Sequence, residues 1–198
     1  MSPPLVLASS SKIRRQLLGN AGIAFEVIPS RVDERYLEEP LLAAGAGPAE
    51  IAEMLAEAKA VAVSAEAPDA LVIGADQTLD LAGARFAKPA DRDEARRQLR
   101  ALSGNTHRLH SALAVARGGE IVWRFRGTAG LTMRPLADRD IDRYLDEVGA
   151  AALTSVGAYQ LEGPGIRLFA AIDGDYFTIL GLPLLPLLAF LRDQGAIA

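Results

Sequence analysis

The chain contains no cysteine. That excludes disulfides, thiolate nucleophiles and thiolate metal sites, and it suits a cytoplasmic location. Positive charge is in short supply as well: 21 Lys and Arg stand against 25 Asp and Glu, a formal net charge of −4. A broad electrostatic footprint for a nucleic-acid polymer is therefore excluded, and any anionic ligand has to be met by a local cluster of cations. Long apolar runs are missing. The most apolar segment, residues 179–191, carries two prolines and falls short of the roughly 20 residues that span a bilayer, so no membrane contact is expected. The first eight residues, Met1 to Ala8, have no basic region and too short an apolar run for a signal peptide. There is no internal repeat and no low-complexity stretch.

What is present is enough for one substantial core. Half of the 198 residues are hydrophobic, which predicts a single domain, or two lobes sharing a sheet. Strand-like and helix-like stretches both occur along the chain.

The organising stretch is Leu71-Val72-Ile73-Gly74-Ala75-Asp76-Gln77-Thr78-Leu79. Its apolar, partly β-branched start predicts a strand buried on both faces, and Gly74 and Ala75 admit the close approach of another backbone. Ala82-Gly83 reads as a turn, and the return leg ends in Lys88-Pro89, which brings a cation back toward Asp76. An acid and a lysine at the mouth of a buried strand suit metal-assisted phosphate chemistry. The same residues also read as strand, turn, strand, with Lys88 solvated.

Other elements follow from local signals. Leu5 to Ala8 reads as a first strand, and Ser9-Ser10-Ser11 offers N-caps for a helix through Ile13, Leu17 and Leu18. A strand running straight into a serine-capped helix leaves free N–H groups, a phosphate-binding arrangement. Lys12, Arg14 and Arg15 sit in the first turns, where the helix dipole disfavours cations, so an anion accounts for them better than helix stability does. Residues 24–28 predict a second strand, residues 37–47 a loop or short helix, and Pro48 opens a helix whose apolar face is Ile51, Met54, Leu55, Ala58 and Ala62. Lys59 lies beside that face, where a lysine ordinarily snorkels to solvent.

Asp91 with Glu94 caps a helix to Leu102, and a long hairpin turns at Gly118-Gly119. His107 and His110, three apart on a strand, face opposite sides and predict no joint metal site. Residues 138–148 predict a helix and 155–165 a glycine-rich loop. A last hairpin is expected about Asp173-Gly174-Asp175, with strands 166–172 and 176–180, before a closing helix over 182–192.

Taken in order, the stretches Leu7 to Arg14, Val32-Asp33-Glu34, Ala58-Lys59-Ala60, Ile73 to Gln77, Lys88-Pro89, Leu102-Ser103-Gly104 with His107, Gly157-Ala158-Tyr159 with Glu162-Gly163, and Gly181-Leu182-Pro183 resemble the Maf family of nucleoside triphosphate pyrophosphatases. The resemblance covers nearly the whole chain. It implies a mixed α/β fold, a central mixed sheet with flanking helices and two lobes around a cleft, usually in a homodimer, and hydrolysis of a nucleoside triphosphate to monophosphate and pyrophosphate with a divalent cation (Mg2+, Mn2+ or Co2+). Carried onto this sequence it makes Asp76 the general base. Ser9, Ser11, Arg14, Lys59 and Lys88 become triphosphate ligands, and Glu34 joins Asp76 in the metal shell.

Three family positions that track base choice fall on Ile13, Gln77 and Glu162. The pyrimidine branch carries Arg, Thr and Gln there, whereas the 7-methyl-GTP branch resembles this chain at Gln77 and Glu162 and differs at Ile13, where it has an aromatic residue. A carboxylate at Glu162 accepts from two neighbouring donors of a guanine edge, while uracil and thymine offer one donor between two acceptors. The expected substrate is therefore 7-methyl-GTP. Hydrolysis of dTTP or UTP, and a nucleotide-binding regulator of cell division, are the alternatives.

Overall fold

In the computed structural model, which describes residues 2–198, the buried apolar runs become the middle of a sheet. β1 (Leu5–Leu7) lies between β2 (Glu26–Val27) and β3 (Leu71–Leu81), parallel to both, with Leu5 opposite Leu71 and Leu7 opposite Ile73. Each fully buried leucine or isoleucine here contributes about 2 kcal/mol. β4 (Ala84–Phe86) returns antiparallel on β3 after the Ala82-Gly83 turn, as the sequence predicts. β5 (Thr106–Arg117), β6 (Glu120–Met133) and β7 (Phe169–Asp173) complete seven strands in the order β2-β1-β3-β5-β6-β7, with β4 on β3.

Helices fill the connections: α1 (Lys12–Asn20), α2 (Glu34–Ala43), α3 (Pro48–Ser64), α4 (Arg92–Leu102), α5 (Asp138–Val148), α6 (Tyr176–Ile179) and α7 (Leu184–Asp193). The mixed α/β class is as expected. Among the described residues, no helix is long and apolar enough to cross a membrane.

The chain divides into two compact units. The first comprises residues 1–77, 110–127 and 175–198, and the second residues 78–109 and 128–174. In the first unit α3 is bound by small residues: Ala52, Ala56 and Ala60 meet Ala112, Ala114 and Ala116 of β5 in one cluster. A Cβ on Gly74 would lie 2.1 Å from the Ala56 carbonyl oxygen and 2.7 Å from the Ala60 nitrogen, so β3 and α3 approach as closely as backbones allow.

This contact corrects the predicted face of α3. Met54 and Ala62 are exposed, while Ala52, Ala56, Lys59 and Ala60 are buried, because close backbone approach selects the small residues. Of residues 37–47, expected as a loop or short helix, those up to Ala43 are helical in α2, which starts earlier, at Glu34, because Asp33 caps it by accepting from the N–H groups of Arg35 and Tyr36. One further expectation changes. The second strand expected in the last hairpin is instead the short helix α6, because Asp175 accepts from Thr178 N–H and caps it; only Phe169–Asp173 is a strand.

In the second unit α4 and α5 face each other through Arg–Asp pairs, Arg92 to Asp146, Arg96 to Asp142 and Arg100 to Asp138, each helix stepping by four residues. The glycine-rich 155–165 stretch forms two short 3-10 turns, 156–158 and 164–168. His107 is fully buried on β5 and its Nε2 shares a hydrogen bond with the Tyr159 hydroxyl at 2.7 Å. Burial pulls its pKa from 6.5 down to about 4, so the ring is neutral at neutral pH.

Candidate active site

The first unit gathers most of the predicted site around the end of the buried part of β3. β1 ends where Ala8 N–H donates to the Ile73 carbonyl, and the chain then turns through the three serines. Ser11 caps α1 by accepting from Arg14 N–H, and Ser9 Oγ accepts from Ser11 N–H at 3.3 Å. The caps serve Ser11 and Arg14, so the remaining first-turn N–H groups, those of Lys12 and Ile13, are left for a ligand or solvent.

Arg14 does more than offer charge. Its Nε donates to the Gly181 carbonyl at 2.8 Å, and its Nη1 donates to the Ala75 carbonyl at 2.7 Å and to Ser9 Oγ at 3.3 Å. Nη2 is the edge of the guanidinium left for a ligand. The side chain thus ties the start of α1 to the residue preceding Asp76 and to the turn after α6. Ile13, beside it, is half-buried on α1.

Asp76 and Lys59 are both buried, and Lys59 Nζ donates to Asp76 Oδ1 at 2.5 Å. The same ammonium lies 2.7 Å from Glu34 Oε1, the first residue of α2, whose side chain is half exposed. Lys59 therefore does not snorkel, contrary to expectation. Its place one residue before Ala60, on the stripe that packs against Gly74, points it along β3 toward residue 76. A lysine directly beside an alanine stripe of spacing four, Ala52, Ala56 and Ala60, is the sequence signal for this.

Burial raises the Asp76 pKa above its ordinary 3.8, and the charges of Lys59 and then Arg14 pull it back. Burial likewise lowers the Arg14 pKa, opposed by Asp76 and Glu34. Two cations and two carboxylates thus balance in charge around one point.

Among the described residues no group of three or more His, Asp or Glu could by itself hold a metal ion. The donor set nonetheless fits a magnesium-like ion. Asp76 and Glu34 each place one carboxylate oxygen on the Lys59 ammonium, which sets two oxygen donors side by side, and such an ion takes one or two carboxylates and completes its shell with water and phosphate oxygens.

Gln77, next along β3, turns its carboxamide nitrogen into the protein: Nε2 donates to Ser111 Oγ at 2.9 Å and to the carbonyls of Thr178 and Ile179 at 3.1 and 2.9 Å. Neither Ser111 nor the Thr178–Gly181 turn is marked by local sequence, because their role arises only from tertiary contact.

Lys88 and Glu162 belong to the second unit. Lys88 is exposed in the loop after β4, next to Ala87, whose carbonyl accepts from Gln98 Nε2 at 2.9 Å. Glu162 is exposed on a turn in which Gly163 N–H donates to the Gln160 carbonyl. That turn is braced from behind: Tyr144 Oη donates to the Ala158 carbonyl, and Ser155 Oγ donates to the Tyr159 carbonyl.

A family model described as Maf-like protein matches residues 4–194. The chain is 58% identical over 197 residues to a 7-methyl-GTP pyrophosphatase of Rhizobium meliloti (strain 1021), covering 100% of this chain and 99% of that protein. It is 55% identical to the protein of that name from Brucella abortus biovar 1 (strain 9-941), over 100% of this chain and 99% of the relative. A nucleoside triphosphate pyrophosphatase of Rhodopseudomonas palustris (strain BisB18) is 55% identical over 198 residues, with 100% and 96% covered. With a family model matching from residue 4 to residue 194 and relatives of this similarity along its full length, the chain belongs to the Maf family.

Proposed function

We propose that this chain is a nucleoside triphosphate pyrophosphatase that hydrolyses 7-methyl-GTP to 7-methyl-GMP and pyrophosphate in the cytoplasm, as a homodimer. The observation that carries the reading is its full-length similarity to relatives bearing the 7-methyl-GTP pyrophosphatase name. The Asp76, Lys59 and Glu34 arrangement supports it chemically.

Hydrolysis at the α-phosphorus needs an oriented water, in-line displacement and neutralisation of a highly charged tail. Asp76 serves as the general base: burial holds its pKa above the ordinary carboxylate range, and Lys59 keeps the carboxyl in one orientation. Arg14 Nη2, the N–H groups opening α1, and the Ser9 and Ser11 hydroxyls meet phosphate oxygens, with Lys59 and Lys88 adding cationic contacts. Asp76 and Glu34 would hold a divalent cation (Mg2+, Mn2+ or Co2+), which supplies charge neutralisation on the phosphates when bound. Glu162 and Gln77 choose the base. A carboxylate suits both the donor edge of guanine and the positive charge of its 7-methyl form. Ile13 offers aliphatic packing where an aromatic would stack.

A substrate panel tests the proposal. Purified protein with Mg2+ is expected to release pyrophosphate from 7-methyl-GTP faster than from GTP, dTTP or UTP. Equal or faster turnover of dTTP and UTP would overturn the base assignment, and orthophosphate in place of pyrophosphate would overturn the reaction.

A further inference from the structure

The carboxamide of Gln77 stands among groups that leave it one orientation. The carbonyl oxygens of Thr178 and Ile179 lie 3.1 and 2.9 Å from its Nε2, and a carbonyl can only accept. The third neighbour, Ser111, is almost wholly buried, and its hydroxyl already donates to the Thr178 carbonyl at 2.6 Å, so toward Gln77 it presents lone pairs. Nε2 therefore faces three acceptors with two protons, and a flipped amide would set Oε1 against two carbonyl oxygens.

The acceptors are themselves fixed. Asp175 Oδ2 accepts from both the N–H and the hydroxyl of Thr178, at 2.7 and 3.0 Å. Gly127 makes room for that side chain: a Cβ there would lie 2.7 Å from Thr178 Oγ1. At the far end of the turn, the Gly181 carbonyl is held by Arg14 Nε.

We infer that Ser111, together with the carbonyls of Thr178 and Ile179, is a positioning set for base selection that locks the Gln77 carboxamide so that it offers a ligand its acceptor Oε1 and no donor. The inference rests on the proposed activity and deepens it. A locked acceptor pairs with an amino or ring N–H of a base and rejects a base carbonyl at the same place. An unlocked amide rotates to suit either and loses that discrimination. Ser111 acts here through Gln77 and has no contact with substrate to make.

Two measurements on the full chain test this. In 15N-labelled protein, the side-chain amide protons of Gln77 should exchange with water far more slowly than those of exposed Gln194. Exchange at the Gln194 rate would overturn the lock whatever the activity. In the second, Ser111→Ala is compared with the unsubstituted protein for kcat/KM on 7-methyl-GTP and on dTTP. The variant loses both an acceptor at Nε2 and the hydroxyl that holds the Thr178 carbonyl in place, and this loosening should lower the ratio of the two by about threefold to tenfold. An unchanged ratio would overturn the assignment, and if melting falls while the ratio stays, Ser111 serves stability alone. If the unsubstituted protein hydrolyses no triphosphate, the activity reading fails and base selection with it, while the exchange rates still decide whether the amide is locked.

Discussion

Lys59 Nζ lies 2.5 Å from Asp76 Oδ1, and both side chains are buried. They belong to a cluster of four charges with Glu34 and Arg14. Removing Lys59 unbalances that cluster and leaves Asp76 only the more distant charge of Arg14, at a cost of up to about 3 kcal/mol.

On the proposed mechanism, Lys59→Met is therefore expected to lower turnover roughly 100-fold, since the variant would lose the group that orients the proposed base and a cation proposed to meet the phosphates. The pH dependence follows from sign. The Asp76 pKa lies above its ordinary 3.8 in the folded chain, so its contribution to stability is fully present below 3.8 and is lost as pH rises through the folded value. Without Lys59 that folded value climbs further. Melting temperatures taken in chelator should then fall in parallel just above 3.8 and show a gap between the two proteins that widens once pH passes the folded Asp76 value of the unsubstituted protein. A gap that stays constant with pH would remove Lys59 from this role.

Gly74 is the position that lets the pair form. Its missing Cβ leaves room for the Ala56 carbonyl and the Ala60 nitrogen, both backbone atoms with nowhere to retreat. Gly74→Ala must push α3 off β3, at a cost of about 3 kcal/mol or more, and carry Lys59 away from Asp76 with it. Thermal melting and pyrophosphate release should fall together. An unchanged melting temperature would show that the two elements separate freely.

The buried imidazole of His107 predicts an acid limit to stability in the second unit. Its folded pKa of about 4 lies below 6.5, so its contribution is present above 6.5 and is lost as pH falls toward 4. The drop from 6.5 to about 4 corresponds to about 3 kcal/mol. His107→Phe keeps a ring in the same cavity but removes the titration, and it gives up the hydrogen bond to Tyr159. The unsubstituted protein should lose stability steeply between pH 6.5 and 4, whereas the variant, less stable at neutral pH, should lose less over that window. Parallel denaturation curves would exclude His107 as the titrating group.

Local features of this chain were legible in its sequence because they depend on neighbours a few residues away. The Ser11 and Asp91 caps and the Ala82-Gly83 turn fall where turn and cap chemistry puts them. Asp173-Gly174-Asp175 misled for the same reason. A hairpin turn and a capped helix start use the same residue types, and only the bond from Thr178 N–H to Asp175 decides between them. The burial of Lys59 depends on Gly74, a neighbour supplied by another element, and the orientation of Gln77 depends on carbonyls about a hundred residues on. Backbone carbonyls carry no sequence signature, so no reading of residue types finds that part of the site.

Arg14 separates charge from shape. If the site required only a cation, Arg14→Lys would be mild. The guanidinium, however, spans three acceptors at once, the carbonyls of Ala75 and Gly181 and the hydroxyl of Ser9. An ammonium is a compact donor that cannot reach carbonyls on two different elements and still offer an edge to phosphate. Arg14→Lys should therefore release the Gly181 turn, leave the Ala75 carbonyl beside Asp76 unpaired, and lower kcat/KM roughly tenfold to 100-fold despite conserved charge. Comparison with Arg14→Ala gives the control. If lysine restores most of the activity that alanine loses, charge alone is what the site needs, and the role of Arg14 as a tie between α1, β3 and the turn after α6 is refuted.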